Sequence, residues 1–489
     1  MAVIMFGKLC LLICVLTSSG VGIVRGQEAD STGNDENTAL VTQLCNFDKP
    51  LLDPSDDAGG KFCGCDVESS PPWGIPVVLI DCRDHHLQNA IFRAETLPQG
   101  TIRADMSYNK FVEVPLFSGD KLKFLSLRNN AITSLKDKNF ANVSGLVELD
   151  LSENEIELIN SDAFTGLVTL RQLNLAENRI TVIQANAFSP LQHLEHLVLS
   201  HNPLGAFLNA TENDIFLKLG VTPRLSIIEL ENCSLTVVDL TNGVGLDQIV
   251  LSYNQLLSIQ KLPKAVTHLD ISGNPFKTMS AKFLPHLFHL QHLTMEDMPY
   301  LYKLEEYALF GLPRLSHLNL QGSRNLTTFD PHAFGRNVVL NETDAVLQEL
   351  ILKGTSIRTL NSSLLQAFDQ LNVLDLTGTP LTCDCNVRWL KTLNVTTHAS
   401  CTKPMSLRGQ QLADIAEDRL QCKEEKSWLY TVFNVVLVVL LVVLVGAAVY
   451  LIYLAIRPRR QQVQLRNKVG VNSPYARVTI EPNQAENLY

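Results

Sequence analysis

One spacing constrains this chain more than any other feature of its sequence. The pattern Leu-x-x-Leu-x-Leu-x-x-Asn recurs, and it is cleanest in three units whose final residues, Asn154, Asn178 and Asn202, lie 24 positions apart. Each unit is expected to form one short strand with inward-pointing leucines, and a single unit cannot bury them without neighbours. An amphipathic helix does not require an asparagine at the repeat period. The sequence therefore predicts a solenoid of stacked parallel strands.

Twelve units fit this frame between residues 100 and 380. Their final-slot residues are Asn109, Asn130, Asn154, Asn178, Asn202, Cys233, Asn254, Asn274, Met298, Ser323, Thr355 and Thr379. The chain turns sharply at this slot, so a buried side chain has to satisfy backbone groups of adjacent turns. Asparagine does this best, whereas cysteine, serine and threonine offer fewer hydrogen bonds. Met298 offers none, and its unit fits the pattern least well.

Aromatic residues recur at one phase on the other side of the repeats. They are Phe140 and the pairs Ala163-Phe164, Ala187-Phe188, Ala333-Phe334 and Ala367-Phe368. Their constant phase places them in equivalent positions of successive turns. We expect these rings to stack beneath the convex face as part of the core.

Two apolar segments place the chain in a cellular compartment. Residues 1–26 resemble a cleavable signal peptide, with Lys8 ahead of a short apolar run, and an acidic disordered lead follows at 27–44. An uncleaved anchor is the alternative. Residues 429–456 carry no charge and, at about 1.5 Å per residue, can cross a hydrocarbon core about 30 Å thick. Arginines follow at once, which predicts a cytoplasmic tail over 457–489 and a type I, single-pass plasma-membrane protein with its N-terminus outside.

The net charge of −10 is unevenly distributed. Residues after 456 carry a local charge of +4, which leaves −14 for the part before them. An acidic outer region of this kind does not suit nucleic acid or anionic membrane surfaces. We therefore expect no nucleic-acid partner.

Eight cysteines form one cluster on each side of the repeats. Cys45, Cys63, Cys65 and Cys82 lie within residues 45–99, and Cys383, Cys385, Cys401 and Cys422 lie within residues 381–423. Because the open ends of a solenoid expose leucines, these even clusters indicate disulfide-bonded caps. Cys233 is the odd residue. It occupies an asparagine slot, which favours a buried thiol over the alternative of an intermolecular bond.

The segment from Thr379 to Leu390, with Cys383-Asp-Cys385 and Trp389, resembles the C-terminal flank of extracellular leucine-rich-repeat proteins of the Slit, Toll and neuronal families. The resemblance implies the pairs Cys383–Cys401, Cys385–Cys422, Cys45–Cys65 and Cys63–Cys82, although the N-terminal spacing departs from the family pattern. The expected fold is a leucine-rich-repeat solenoid of about twelve repeats with short parallel strands on its concave face. Two disulfide caps, one transmembrane helix and a short disordered tail complete it.

Seven N-glycosylation sequons precede the predicted membrane span. They begin at Asn142, Asn209, Asn232, Asn325, Asn341, Asn361 and Asn394, and the tail contains none. Sequons are acceptors only in secreted or outer segments. Their distribution agrees with the expected topology.

Stacking the repeats on one another suggests a candidate ligand face. Histidine occupies the same outward strand position in three successive units, at His268, His292 and His317, and earlier at His196, with Asp270, Glu296 and Asn319 at neighbouring concave positions. Strands lie about 4.8 Å apart, so we expect these rings to form a ladder. The alternative is that they are ordinary solvated strand residues. As a ladder, they predict a pH-sensitive ligand surface, because adjacent imidazoles repel one another when protonated.

The tail of 33 residues is too short for a signalling domain. Ser-Pro-Tyr475-Ala-Arg-Val478 resembles both a tyrosine sorting signal and an inhibitory phosphotyrosine motif, so a sorting or phosphotyrosine adaptor is a candidate partner. A tail without such a role is the alternative.

The sequence contains no nucleophile elbow, phosphate loop, dinucleotide fingerprint or metalloprotease helix. We therefore expect no catalytic residues, no cofactor and no metal. The leading hypothesis is a cell-surface receptor or adhesion molecule that binds a protein ligand on the concave face. A co-receptor or regulatory subunit acting in cis on another membrane receptor is the alternative, and an enzyme is the third.

Overall fold

The repeats build one continuous sheet. A computed structural model of the chain describes residues 63–68, 77–89, 97–98, 100–119, 121–209, 214–259, 261–284, 287–336, 347–422 and 428–468. In chain order the strands are β1 (Gly64–Glu68), β2 (Val77–Asp81), β3 (Thr101–Asp105), β4 (Phe124–Ser126), β5 (Glu148–Asp150), β6 (Leu158–Ile159), β7 (Gln172–Asn174), β8 (Val182–Ile183), β9 (His196–Val198), β10 (Ile227–Glu229), β11 (Gln248–Val250), β12 (His268–Asp270), β13 (Thr278–Met279), β14 (His292–Thr294), β15 (Lys303–Leu304), β16 (His317–Asn319), β17 (Thr328–Phe329), β18 (Glu349–Ile351), β19 (Val373–Asp375), β20 (Leu381–Thr382) and β21 (Cys401–Lys403).

The main sheet has fourteen strands in the order β1-β2-β3-β4-β5-β7-β9-β10-β11-β12-β14-β16-β18-β19. The strands from β3 onward are parallel, and each supplies one of the twelve predicted repeats. Their central leucines, such as Leu149 and Leu197, are fully buried, while the residues on either side remain partly exposed. This inward and outward alternation gives the solenoid a leucine core and a polar concave face. The predicted solenoid is confirmed.

Smaller elements line the other sides of the solenoid. Short parallel sheets pair β6 with β8, β13 with β15 and β17, and β20 with β21. The helices are α1 (Gly205–Leu208), α2 (Ile215–Leu219), α3 (Leu365–Phe368) and α4 (Trp428–Lys468), and 3₁₀ turns span Ser362–Leu364, Cys385–Thr392, Met405–Leu407, Leu412–Asp414 and Glu417–Arg419. The long step from Asn202 to Cys233 contains α1 and α2. Asp214 caps α2 by accepting a hydrogen bond from the Phe216 amide.

The asparagine slot works as the spacing predicts. Asn178 is buried, and its Nδ2 donates to the carbonyls of Leu151 at 3.0 Å and of Leu175 and Ala176 at 3.1 Å. Its Oδ1 accepts from the Ile156 amide of the preceding turn at 3.1 Å. One side chain thus satisfies backbone groups of two turns, which holds both turns in register.

The substitutes fill this slot with fewer bonds. The thiol of Cys233 donates to the carbonyl of Leu199 at 3.3 Å, and burial raises its pKa to about 12. Ser323 reaches the carbonyl of Met295 at 3.1 Å. Among the described residues, the Met298 side chain has no hydrogen-bond partner, yet it is buried, and its strand β14 keeps full register with both neighbours. Leucine burial around Met298 is therefore sufficient for its turn to form.

The convex aromatic stack is shorter than predicted. Phe140 and Phe164 stack with ring centroids 6.4 Å apart, and Phe164 and Phe188 do so at 5.6 Å. Phe334 and Phe368, however, meet edge to face, with their planes 85° apart. The expectation of stacking is wrong for this pair, because the turn before Phe368 is a 3₁₀ segment followed by α3. That local backbone aims the ring differently from the rings of regular repeats.

Both ends of the solenoid carry disulfides. The bonds Cys63–Cys82, Cys383–Cys401 and Cys385–Cys422 are three of the pairs that the resemblance implies. Cys65 is also disulfide-bonded, while its implied partner, Cys45, lies outside the described residues. At the N-terminal end, β1 pairs antiparallel with β2, and β2 extends the parallel sheet to β3. The caps therefore continue the core and cover its end layers.

The C-terminal helix is longer than the predicted span. Val432–Ile456, with a mean hydropathy of 3.3, is the part of α4 that is long and apolar enough to cross a membrane, and helix continues to Lys468. The expectation of a disordered tail is therefore wrong for residues 457–468. A helix already nucleated by the apolar span continues readily through glutamine, arginine and leucine, which are good helix formers. The signal peptide, the acidic lead and the tail after Lys468 lie outside the described residues.

We predict that Asn178→Ala lowers the free energy of unfolding by about 3 kcal/mol, because it leaves several buried backbone groups without partners at about 1–3 kcal/mol each. Thr355→Val is the matched control. The Thr355 hydroxyl is buried and has no hydrogen-bond partner among the described residues, so its removal should be neutral or stabilising by about 1 kcal/mol. Urea unfolding measures both changes. Equal losses in the two variants would contradict this account of the slot.

Candidate functional site

Three imidazole rings stack on the concave face. His268, His292 and His317 occupy the first position of β12, β14 and β16, and the strand register places them directly side by side. The centroids of the His268 and His292 rings are 4.2 Å apart with planes 7° from parallel, and those of His292 and His317 are 4.0 Å apart at 17°. We call these three residues the histidine ladder.

The outer rings of the ladder are held by hydroxyl groups. The Thr267 Oγ1 lies 2.7 Å from Nδ1 of His268, and the Ser316 Oγ lies 2.8 Å from Nδ1 of His317. On its far side, Nε2 of His317 is 3.6 Å from a carboxylate oxygen of Glu349. These contacts fix the ring planes, which preserves the stacking.

The pKa of the middle ring of the ladder is shifted. His292 is shielded from water by its two neighbours, and this burial lowers its pKa below the ordinary 6.5, helped by the adjacent charges of His317 and then of His268. Protonation of His292 is therefore disfavoured in the folded protein.

Acidic and polar groups surround the ladder. Asp270 Oδ1 accepts from the Ser272 amide at 2.9 Å and from its hydroxyl at 2.6 Å. Asn319 Nδ2 donates to Glu296 Oε1 at 2.6 Å. The carboxylates of Asp270 and Glu296 therefore give the repeats of the ladder negative charge.

His196 does not join the ladder. Two strands, β10 and β11, separate β9 from β12. The Nε2 atom of His196 instead lies 2.8 Å from Oε1 of Glu229 on the adjacent strand. The expectation of a ladder is therefore wrong for His196, because stacking requires histidine on immediately neighbouring strands.

The outward strand residues form two rows along the solenoid. The first row is Arg103, Phe124, Glu148, Gln172, His196, Ile227, Gln248, His268, His292, His317, Glu349 and Val373, and the second is Asp105, Ser126, Asp150, Asn174, Val198, Glu229, Val250, Asp270, Thr294, Asn319, Ile351 and Asp375. Together the rows carry seven carboxylates, four histidines and one arginine. Sequence reasoning missed Glu229 and Glu349 beside the histidines, and Arg103 beside Phe124. Aligning all twelve repeats, rather than only those with histidine, would have revealed them.

Other predicted residues have different surroundings. Asn142 and Asn394 are exposed. Four further sequon asparagines use their side chains in hydrogen bonds: Asn209, Asn232, Asn325 and Asn361. Asn341, Tyr475 and Val478 lie outside the described residues. Within the described ranges, no group of three or more histidine, cysteine, aspartate or glutamate side chains could hold a metal ion.

The regular strands, the asparagine slot and the caps define a class of protein. Residues 120–180 and 159–204 match the family model described as leucine rich repeat. The chain is a leucine-rich-repeat protein at the level of the superfamily.

Individual relatives are similar over parts of the chain. Mouse Nephrocan is 34% identical over 110 residues, which cover 22% of this chain and 19% of that protein. Mouse CD180 antigen is 26% identical over 245 residues, 39% of this chain and 37% of that protein. The solved leucine-rich repeat domain of APL1B is 19% identical, with a TM-score of 0.42, over 67% of this chain and 89% of that domain. The chain thus spans less than two-fifths of the length of these two curated relatives.

We predict that acidification destabilises the wild type partly through the ladder. Because the pKa of His292 is lowered in the folded state, the unfolded state binds more protons once the pH falls below the ordinary value of 6.5, and stability falls from that point downward. His292→Gln should reduce the loss of unfolding free energy between pH 7.5 and 5.5. His196→Gln, on a ring that does not stack on histidine, is the control. Equal effects of the two substitutions would contradict the role of stacking.

Proposed function

We propose that this protein is a cell-surface receptor or adhesion molecule whose concave sheet binds a protein ligand. The observation that supports this most is the continuous row of outward strand positions on a rigid parallel sheet, with the histidine ladder near its C-terminal end. Solenoids use such extended concave surfaces for binding. A rigid sheet with charged outward positions favours recognition of a folded partner over a small molecule.

The charge of the concave rows indicates the chemistry of the ligand. Carboxylates outnumber the single arginine, and those near the ladder include Asp270 and Glu349. A partner with a basic contact surface would be steered toward this face and held there. The proposed ligand is therefore a protein with a basic surface, not nucleic acid, which this charge would repel.

The proposed location of the protein is the plasma membrane. The proposed arrangement has a cleaved signal peptide, an outer solenoid, the apolar span in α4 and a cytoplasmic tail, in which Tyr475 and Val478 would recruit an adaptor. Among the sequons, the exposed Asn142 and Asn394 are the best candidates to carry glycans. Arginines after Ile456 support the orientation.

A co-receptor role, in cis to another membrane receptor, is the second candidate function. The short linker between the C-terminal cap and α4 favours it. Five residues separate Cys422, bonded into the C-terminal cap, from the start of α4 at Trp428. Fully extended, this linker reaches about 20 Å. The cap would stay close to the membrane, within reach of a neighbouring receptor. A catalytic role is the least favoured of the three.

Two measurements distinguish the first two roles. The partner is first identified by proximity labelling and binding screens with the full-length protein. The two measurements are then cell aggregation and co-purification. Aggregation of cells that express the protein, with a partner on the opposing cell, supports the receptor or adhesion role. Co-purification with a membrane protein of the same cell, without aggregation, supports the co-receptor. A partner whose binding survives neutralisation by Asp270→Asn and Glu349→Gln would contradict the acidic face as the site.

We predict that the bound partner dissociates faster at pH 5.5 than at pH 7.4, by about tenfold, which corresponds to about 1.4 kcal/mol. Protonating the ladder adds positive charge to a face that holds a basic ligand. The triple variant His268→Gln, His292→Gln, His317→Gln should keep binding at pH 7.4 and lose most of this pH dependence. Surface plasmon resonance measures both rates. Identical pH dependence in the variant would dispose of the ladder as the sensor.

A further inference from the structure

The first three repeats present a cation, an aromatic ring and a carboxylate in sequence across the sheet. Arg103, Phe124 and Glu148 occupy the first outward row on the adjacent strands β3, β4 and β5. The guanidinium carbon of Arg103 lies 5.4 Å from the centroid of the Phe124 ring. Phe124 is only half-buried, so part of its ring faces the concave side. We call these three residues the N-terminal triplet.

A shallow cavity of about 330 Å³ opens at the triplet. Its lining also includes Arg83, Arg128, Asp105, Ser107, Tyr108 and Asp150. A volume of this size accommodates a few side chains of a protein segment rather than a whole domain. Arginine and aromatic residues of this kind carry much of the energy at protein interfaces.

The other two arginines at the cavity are already neutralised. Arg83 Nε donates to Asp81 Oδ1 at 2.9 Å, and Arg128 forms an ion pair with Glu153. Arg103, by contrast, forms no ion pair with any of the residues that the structure describes, and its contact is with the Phe124 ring. The guanidinium of Arg103 is therefore the cation available to a ligand.

The opposite end of the cavity is acidic. Glu148 and Asp150 lie on β5, two strands from Arg103, a separation of about 10 Å. Asp150 Oδ1 accepts hydrogen bonds from the Ser152 amide and hydroxyl, which leaves its other oxygen for a partner. Along the first outward row, the cavity thus presents a guanidinium group, an aromatic ring and a carboxylate.

We propose that the N-terminal triplet binds a segment of the protein ligand that carries an acidic, an apolar and a basic side chain in that spatial order. The ligand carboxylate pairs with Arg103, the apolar group packs on Phe124, and the ligand cation pairs with Glu148. This proposal rests on the proposed function, since it takes the concave face as the binding surface. It also gives the ligand an orientation on the sheet. Because Arg103 is the only arginine in the two rows, the acidic group of a largely basic ligand lies at the first repeat.

The test does not require the natural ligand. A phage-displayed library of random 12-residue peptides is selected on the full-length protein in nanodiscs, and separately on the double charge reversal Arg103→Glu with Glu148→Arg. Wild-type selection should enrich peptides in which an acidic and a basic residue flank an apolar one. These peptides should bind the reversed protein at least tenfold more weakly. Enrichment of purely basic peptides, or equal binding to both proteins, would overturn the proposal.

A matched reversal controls for general charge effects. Arg171 and Glu195 form an ion pair at 2.9 Å beside the concave rows, and Arg171→Glu with Glu195→Arg should leave the selected peptides bound. If the reversal at the triplet prevents folding, Arg103→Gln replaces it and should abolish the preference for the acidic residue.

The triple variant His268→Gln, His292→Gln, His317→Gln separates the proposal for the N-terminal triplet from the proposed function of the concave face. Peptides that need Arg103 but not the ladder support the triplet. Peptides that need the ladder but not Arg103 contradict the triplet while leaving the proposed function standing. Peptides that bind independently of every concave substitution count against both.

Discussion

The asparagine at the end of seven of the twelve repeats forms the interaction on which the rest of the structure depends. Its amide joins the carbonyls of one turn to an amide of the previous turn, as Asn178 does for Ile156 and Leu175. That link fixes the spacing between turns, and the spacing aligns the strands. Because the strands are aligned, residues 20 to 32 positions apart in the chain become neighbours on the concave face. The slot tolerates Cys233 and even Met298, since leucine burial on both sides maintains the register.

The same spacing gives the concave face its chemistry. Histidines on adjacent strands stack because the distance between strands is close to the centroid separation of stacked aromatic rings. The middle ring of this stack, His292, is shielded from water by its neighbours. The carboxylate of Glu349 lies beside the outer ring of His317. The charge of this face therefore depends on pH. The triplet at Arg103 lies toward the other end of the same sheet, so the proposed peptide site and the histidine ladder occupy separate repeats.

Sequence reasoning predicted the repeats, their number and the histidine positions, because each follows from the regular spacing of the leucines. It failed where the outcome depends on a neighbour across the sheet. His196 stacks on no ring because Ile227 is beside it, and Phe368 turns edge-on because its own turn is helical. The residue before each final slot is left-handed in all twelve repeats, including bulky Tyr108 and Glu177. No propensity predicts this for such residues, since the turn itself imposes the conformation.

The concave sheet is the proposed binding surface of the protein. Hydrogen exchange with the partner bound tests this proposal most directly. Amides of the strands and of the turns that follow them, from β3 to β19, report on this face, while those of β6, β8, β13, β15 and β17 report on the others. The account predicts that the partner slows exchange in the first set, with the strongest effect at the first three repeats and at the repeats of the histidine ladder. Protection confined to the second set would contradict it.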